Sequence, residues 1–252
     1  MIQNDLEYKI AKPALFLSDF VESFWMVANL SEGDKPIVIL PDGRFDIIFS
    51  FSPQEPYHAT LTGLGTQPEQ NFLPAKIVMF AVSFKLLAIE YLLDFPIADL
   101  LDSATRLPDD FWGITARDLD DFDSFCKKIS AKMKGLIKSK FDSRKQKLFE
   151  LIYSSQGSLS VKELSEQVYW SSRQINRYFN QQFGISLKAY CNILRFRASL
   201  QQIKEGKLFP EQNFTDQAHF IKEIKKYSGV IPKELRKNKN DRFILFSTLP
   251  KK

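Results

Sequence analysis

The sequence predicts an α+β chain of two parts: a β-sandwich or barrel-like N-terminal domain, then an all-α domain with two helix-turn-helix units. Three observations predict this division. Within residues 1–85, apolar residues recur at every second position, which is the period of a strand with one buried face. Beyond Leu119 they recur at steps of three and four, which is the period of a helix. The sign of the net charge also changes along the chain.

The charge asymmetry bears on the kind of partner. Residues 1–143 carry 14 Lys and Arg against 21 Asp and Glu, a net of −7, and residues 144–252 carry 21 against 9, a net of +12, which together make the chain's +5. An acidic part joined to a basic part is typical of a chain whose basic part meets a polyanion such as nucleic acid. A basic surface that serves only solubility is the alternative that charge leaves open.

The strand prediction depends on two alternating segments, GRFDIIFSFS and IVMFAVSF. Their alternating apolar residues are Phe45, Ile47, Phe49 and Phe51, then Val78, Phe80, Val82 and Phe84. IVIL joins the first segment through the turn Pro41-Asp42-Gly43, and HATLTGLG supplies a further strand. Short strands at this spacing predict a small sandwich or barrel. LLAIEYLLDF, which Pro96 follows, predicts one short helix.

Residues 118–142 predict one helix between the two parts. Its apolar stripe is Phe122, Phe125, Ile129, Met133 and Leu136. Acids crowd its start and lysines its end, and both complement the helix dipole. Three roles remain open: the helix links the two domains, pairs between subunits, or packs on its own domain.

The stretch SVKELSEQVYWSSRQINRYFNQQFG contains two capping boxes, Ser160 with Glu163 and Ser171 with Gln174. Two helix starts eleven residues apart leave a turn of about three residues, the spacing of a helix-turn-helix. The second helix carries polar and basic side chains near its start: Arg173, Gln174, Asn176 and Arg177. Arg can hydrogen-bond guanine and Asn can hydrogen-bond adenine. A solvated basic helix face is the alternative.

A long helix and a second unit follow. SLKAYCNILRFRASLQQI is apolar on two sides, which predicts a rod packed between two helical subdomains. NFTDQAHFIKEIKKYSGVIPKEL predicts a helix capped by Thr215 or Asp216 and ended by Gly229, with Pro232 opening the next helix. Its buried stripe is Phe220, Ile224 and Tyr227. Four polar residues lie off that stripe: Gln217, His219, Lys222 and Lys226.

Residues 145–237 resemble the DNA-binding domain of AraC/XylS-type bacterial transcription regulators. The carriers are SSRQINRYFNQQFGIS, YCNILRFRASLQQI and FTDQAHFIKEIKKYSGVIPKEL. The resemblance implies two helix-turn-helix units bridged by a long helix, with both recognition helices in successive major grooves of double-stranded DNA. By position it implies base contacts from Arg173, Asn176 and Arg177 in the first unit, and from Gln217, His219 and Lys222 in the second.

The N-terminal half resembles, more weakly, the β-rich domain that precedes this module in some of these regulators. The carriers are ILPDGRFDIIFSF and VSFKLLAIEYLLDFPIADLLD. This implies a sensor or dimerisation role without naming a ligand.

Two departures from the family pattern matter. At Tyr169 the family usually has glycine, so we expect a turn that is either non-αL or strained. The segment KEGKLFPEQNFTDQ is several residues too short for the usual first helix of the second unit, Asn213 replaces a common glycine, and Pro210 disfavours a helix interior. We therefore expect the second recognition helix to lack its normal support.

These patterns divide the chain into residues 1–117, a β-rich sensor or dimerisation domain; 118–142, a linker helix; 143–240, an AraC-type DNA-binding domain; and 241–252, a C-terminal tail. The predicted function is a sequence-specific DNA-binding transcription regulator, with a small-molecule effector and a homodimer left open. The alternative is a ligand-binding or protein-interaction module with a degenerate DNA-binding half.

Other chemistry is not favoured by the sequence. His58 and His219 each stand alone, and Cys126 and Cys191 fall on helical stripes as small core residues. We therefore expect no enzyme activity, no metal and no cofactor. Charged residues and a proline interrupt the apolar runs, and the N-terminal segment lacks a secretory pattern, which predicts a cytoplasmic protein without a membrane partner.

Overall fold

The computed structural model describes residues 5–93, 95–210, 214 and 216–249, with only the backbone of residues 240 and 247. The strands are β1 (Leu6–Ala11), β2 (Val21–Asn29), β3 (Lys35–Ile39), β4 (Phe45–Phe51), β5 (His58–Thr62), β6 (Glu69–Leu73), β7 (Val78–Phe84) and β8 (Ala104–Leu107). The α-helices are α1 (Phe122–Lys134), α2 (Ser143–Ser154), α3 (Val161–Val168), α4 (Ser172–Phe183), α5 (Leu187–Lys204), α6 (Gln217–Ser228), α7 (Pro232–Lys237) and α8 (Ile244–Ser247). An antiparallel β-rich region followed by a helical region confirms the predicted fold class.

Six strands form one antiparallel sheet in the order β1-β2-β7-β4-β5-β8, and β3 pairs with β6 in a separate ribbon. The predicted alternation is confirmed, since Phe45, Ile47 and Phe49 are fully buried on one face of β4. Side chains from the ribbon and from β2, such as Ile37, Leu73 and Val27, form a second apolar cluster. The β-rich part therefore has two layers.

Helix α1 packs on the inner face of the sheet. The Phe125 ring lies 5.7 Å from that of Phe49 and 5.4 Å from that of Phe80. Asp121 caps the helix by accepting from the Ser124 amide at 2.8 Å. Of the three roles left open by the sequence, the structure shows packing on the β-rich part. The helix ends at Lys134, so Leu136 of the predicted stripe lies beyond it.

The short helix predicted at LLAIEYLLDF is a π-helical segment at Ile89–Leu93 with four buried side chains. Short 3-10 turns follow at Ala98–Leu100, Phe111–Gly113 and Ala116–Leu119. These segments carry the chain from the sheet towards the helical part.

Both capping boxes of the first helix-turn-helix unit are confirmed, at Ser160 before α3 and at Ser171 before α4. The turn between them begins at Tyr169, whose φ of 53° and ψ of 40° place it in the left-handed region. Of the two outcomes expected there, the strained turn is the observed one. Helix α5 is buried on two sides, as predicted.

The recognition helix predicted for the second unit is α6, and α7 follows it. Asp216 caps α6 by accepting from the His219 amide at 2.8 Å, whereas Thr215, the other candidate cap, lies outside the described residues. Gly229 ends α6 with a φ of 76°, and Pro232 opens α7. No helix occurs between α5 and α6 in the residues that the structure describes there, which are 205–210, 214 and 216; Asn213 is not among them.

The segment after α7 returns to the β-rich part. The Val38 amide donates to the Arg242 carbonyl at 2.6 Å, and Phe243 pairs with Val38 in a parallel bridge. Phe243 and Phe246 are 1% and 3% exposed. Residues 242–246 therefore dock on β3 beside the helical part. None of the described helices is long and apolar enough to cross a membrane.

Candidate nucleic-acid interface

Helix α4 buries one side in an aromatic cluster. Phe179 is fully buried, and its ring lies 5.8 Å from that of Phe149 and 5.1 Å from that of Phe183. This apolar side fixes the helix, so its opposite side faces solvent.

Arg173 and Arg177 are exposed on that opposite side. They are four residues apart and so share one face of the helix. In the described part of the chain, no carboxylate pairs with either guanidinium. Two unpaired cations at the N-terminal end of an exposed helix can bind phosphates or the edge of guanine.

The two amide residues of α4 are partly engaged within the helix. Gln174 accepts from the Ser171 amide at 3.0 Å and from its hydroxyl at 2.7 Å, so its side chain serves the cap. Asn176 is half-buried, and its Nδ2 donates to the Ser172 carbonyl at 3.0 Å. A base contact from Asn176 therefore requires its Oδ1 or a change of rotamer.

Of the four DNA-contacting residues predicted in the second unit, two are half-buried and two are exposed. Gln217 is half-buried and donates to the Leu208 carbonyl at 2.8 Å, and the His219 ring lies 5.7 Å from the Phe214 ring. Lys222 and Lys226 are exposed, with the Lys226 amine 4.7 Å from the centre of the Tyr227 ring. The structure thus presents the two lysines to solvent and turns Gln217 towards the segment before α6.

Helix α5 joins the two units. Near its start the Tyr190 ring lies 5.7 Å from that of Phe179 in α4, and further along the Phe196 ring lies 5.3 Å from that of Tyr227 in α6. With 18 residues, α5 spans about 27 Å. Both candidate recognition helices are therefore held along one rod.

A partly buried polar cluster ties α5 to the sheet, and no local pattern in the sequence indicates it. The Glu22 carboxylate accepts from Arg44 Nη2 at 3.0 Å and from Arg197 Nη2, on α5, at 3.0 Å. The Tyr190 hydroxyl donates to the Gly43 carbonyl at 2.9 Å, and the Leu86 amide donates to the Tyr153 hydroxyl at 3.0 Å. All of these bonds except the one between Glu22 and Arg44 cross between the two parts.

The charges of this cluster stabilise one another. Burial by itself raises the pKa of Glu22, but Arg44 and Arg197 more than offset this and hold that pKa well below its ordinary value. Burial raises the pKa of Tyr190 well above its ordinary value, so its hydroxyl stays a donor. Because Glu22 and Arg197 are 175 residues apart, no sequence spacing could have indicated the pair.

The β-rich part of the chain matches the model of a known domain family. Residues 9–106 match the model of DUF6597, a domain of unknown function. No curated protein matches the chain.

Several solved structures of ToxT from Vibrio cholerae are similar in outline. The P21 form is 10% identical with a TM-score of 0.42, covering 91% of this chain and 97% of that one. ToxT from strain O395 is 11% identical with a TM-score of 0.43, covering 98% and 100%. ToxT from strain SCE256 with a bound unsaturated fatty acid is 12% identical with a TM-score of 0.40, covering 91% and 93%.

The chain is a two-part protein, with a β-rich N-terminal region and a helical C-terminal region that contains a complete helix-turn-helix. This is the arrangement implied by the resemblance to AraC/XylS-type regulators.

Proposed function

We propose that this protein is a sequence-specific DNA-binding transcription regulator of the AraC type. The observation that carries the proposal is the start of α4, where Arg173 and Arg177 are exposed on one face of the second helix of a helix-turn-helix. In such motifs the second helix enters the major groove with its N-terminal residues at the base edges. The net of +12 over residues 144–252 supports a polyanionic partner.

The proposed division of labour follows from side-chain chemistry. Arg177 and Arg173 read guanine edges or bind phosphates, and Asn176 reads adenine through its Oδ1 or after a rotamer change. Lys222 and Lys226 of α6 contact phosphates in the neighbouring groove, while Gln217 and His219 support the start of α6. With about six phosphates engaged, log affinity falls with log salt at a slope near −5.

The β-rich part has the proposed role of sensor or dimerisation domain, with boundaries at residues 1–117, 118–142, 143–240 and 241–252 as drawn from the sequence. Under the proposal the chain acts by binding DNA and catalyses no reaction.

The test is a duplex that the full chain selects from a random-sequence pool. Replacing Arg177 by Ala is expected to weaken binding to the selected duplex by about 1–3 kcal/mol and to change binding to scrambled DNA little. Titration of labelled duplexes at near-physiological salt measures both affinities. Arg117→Ala is the matched control, because Arg117 is exposed in the acidic part. Equal loss on both duplexes would contradict base reading by α4.

The second candidate is a ligand-binding or protein-interaction module with a degenerate DNA-binding half. The described residues between α5 and α6 favour it, because they contain no helix to support α6. Selection experiments that return no preferred duplex would support this candidate over the regulator.

A further inference from the structure

Two loops of the β-rich part reach the C-terminal ends of both proposed recognition helices. The first loop, residues 63–68, joins β5 to β6, and the second, residues 97–103, precedes β8. We call these two loops together the brace.

The second loop of the brace packs on the end of α4, backbone against backbone. The Ile97 amide donates to the Gln182 carbonyl at 2.9 Å. Gly184 ends α4 with a φ of 70°, and a Cβ added there would lie 2.5 Å from the Ala98 carbonyl oxygen. Only glycine therefore allows this close approach.

The first loop of the brace reaches the end of α6. Pro68 is half-buried, and a Cβ added at Gly229, which ends α6, would lie 3.7 Å from Pro68 Cγ. The proline ring thus lies beside the turn between α6 and α7, close enough that a methyl group at position 229 would contact it. Its fixed φ limits the motion of the loop that carries it.

The two loops are tied into one body. The Gly63 amide donates to the Ser103 carbonyl and the Asp102 amide to the Leu64 carbonyl, both at 2.9 Å, which extends the β5–β8 ladder. The Asp102 carboxylate accepts from the Thr66 amide at 2.6 Å and from its hydroxyl at 2.5 Å. A displacement of one loop therefore moves the other.

We propose that the brace fixes the separation of α4 and α6, so that the β-rich part belongs to the DNA-reading framework. This rests on the proposed function. Thr66, Pro68 and Asp102 are then positioning residues, which act through the ends of the two helices and touch no DNA. The brace holds the C-terminal ends, so the N-terminal halves, which carry Arg173 and Lys222, are left to face the duplex.

The second unit needs the brace because α6 lacks part of its local support. The described residues between α5 and α6 contain no helix, so the orientation of α6 depends on α5, on α7 and on contacts from the β-rich part. Reading two successive major grooves requires a separation of about 34 Å, and one inserted base pair displaces the second groove by about 3.4 Å and rotates it by about 35°. A rigid brace therefore predicts a strict preference for one spacing.

The test uses the full chain and the duplex that the wild-type protein selects from a random pool. In one altered duplex, a base pair is inserted between the segment bound by α4 and the segment bound by α6. In a second altered duplex, the segment bound by α6 is scrambled. The variant Pro68→Gly/Asp102→Gly removes the ring and the carboxylate, and glycine accepts the φ of 53° at position 102. Pro53→Gly is the matched control, since Pro53 is exposed in the β4–β5 turn.

We expect the insertion to weaken wild-type and Pro53→Gly binding by at least about tenfold, and to weaken the double variant by less than about threefold. All three proteins should bind the half-scrambled duplex equally. A double variant that keeps the wild-type spacing preference overturns the brace, and so does equal weakening on every duplex, which would indicate a general loss of fold.

A measurement without DNA separates this inference from the proposed function. Hydrogen exchange at the Ile97 amide reports the bond to Gln182, and it should be faster in the double variant than in Pro53→Gly. Unchanged exchange overturns the brace whatever the DNA result. If the wild-type chain selects no duplex while exchange responds as expected, the regulator proposal fails, and the spacing role fails with it.

Discussion

The two helix-turn-helix units are built in different ways. In the first, each helix opens with a capping box and the helices share an aromatic cluster around Phe149 and Phe179. In the second, α6 has a single cap at Asp216 and packs on its chain neighbours α5 and α7, with Phe196 of α5 against Tyr227. Pro68 of the β-rich part lies beside its C-terminal end. The second unit thus combines neighbouring helices with a loop that is distant in sequence.

The largest expected effect concerns the core of each unit. Phe179→Ala and Phe220→Ala each empty a fully buried site, and we expect losses in the free energy of unfolding of about 5 and about 3 kcal/mol. The first value is larger because Phe179 contacts several aromatic rings. Urea denaturation measures both.

Amide hydrogen exchange shows whether the destabilisation caused by each substitution stays within its own unit or extends to the other. Phe220→Ala should speed exchange in α6 and leave α4 protected, because α4 is held by a separate aromatic cluster around Phe149 and Phe179. Faster exchange in both helices would mean that the two units unfold as one cooperative body, which would contradict the view that they are stabilised separately.

The glycines that end α4 and α6 test how tightly the end of each helix is packed. Gly184→Ala and Gly229→Ala both place a side chain at positive φ, but only the first meets a backbone oxygen at 2.5 Å. We expect losses of about 3 and about 1 kcal/mol in thermal or urea unfolding. Gly135→Ala is the control: its φ is −75° and its nearest neighbour is 3.6 Å away, so it should be neutral or slightly stabilising.

A smaller effect of opposite sign is expected at the turn of the first unit. Tyr169 is 92% exposed and left-handed, so Tyr169→Gly relieves strain and loses little packing. We expect a gain of about 0.5–1 kcal/mol in the free energy of unfolding. Tyr169→Ala keeps the strain and should show no gain. Equal stability of the two variants would argue against strain at this turn.

The smallest effect concerns the second recognition helix. Lys222→Ala should weaken binding to selected and scrambled duplexes alike and reduce the salt slope by about 1, as expected for a phosphate contact. Titrations at several salt concentrations measure this slope. A loss confined to the selected duplex would show that α6 reads bases as α4 is proposed to do.

What the sequence predicts correctly is local. The caps at Ser160 and Ser171, the alternation through Phe49 and the end of α6 at Gly229 each depend on residues within a few positions. Dihedral preferences and first-turn hydrogen bonds act over that range, so a pattern can reveal them.

What the sequence does not predict is the joining of the parts. Glu22 meets Arg197 and Val38 meets Phe243 only because the whole chain folds back. For the same reason the side-chain directions in the second unit were not foreseen: Gln217 turns towards Leu208, a contact that no helical period indicates. The DNA contacts of all eight candidate residues stay predictions.

The docking of residues 242–246 on β3 has a consequence for biosynthesis. A ribosome adding about 5–20 residues per second needs roughly 10–40 s to travel from Ile39 to Phe243. Throughout that interval the backbone groups on the edge of β3 that later bonds to Arg242 are unpaired. Unpaired strand edges can form hydrogen bonds with other nascent chains. Expression at low density of translating ribosomes, or with a chaperone that shields strand edges, should therefore raise the yield of native protein.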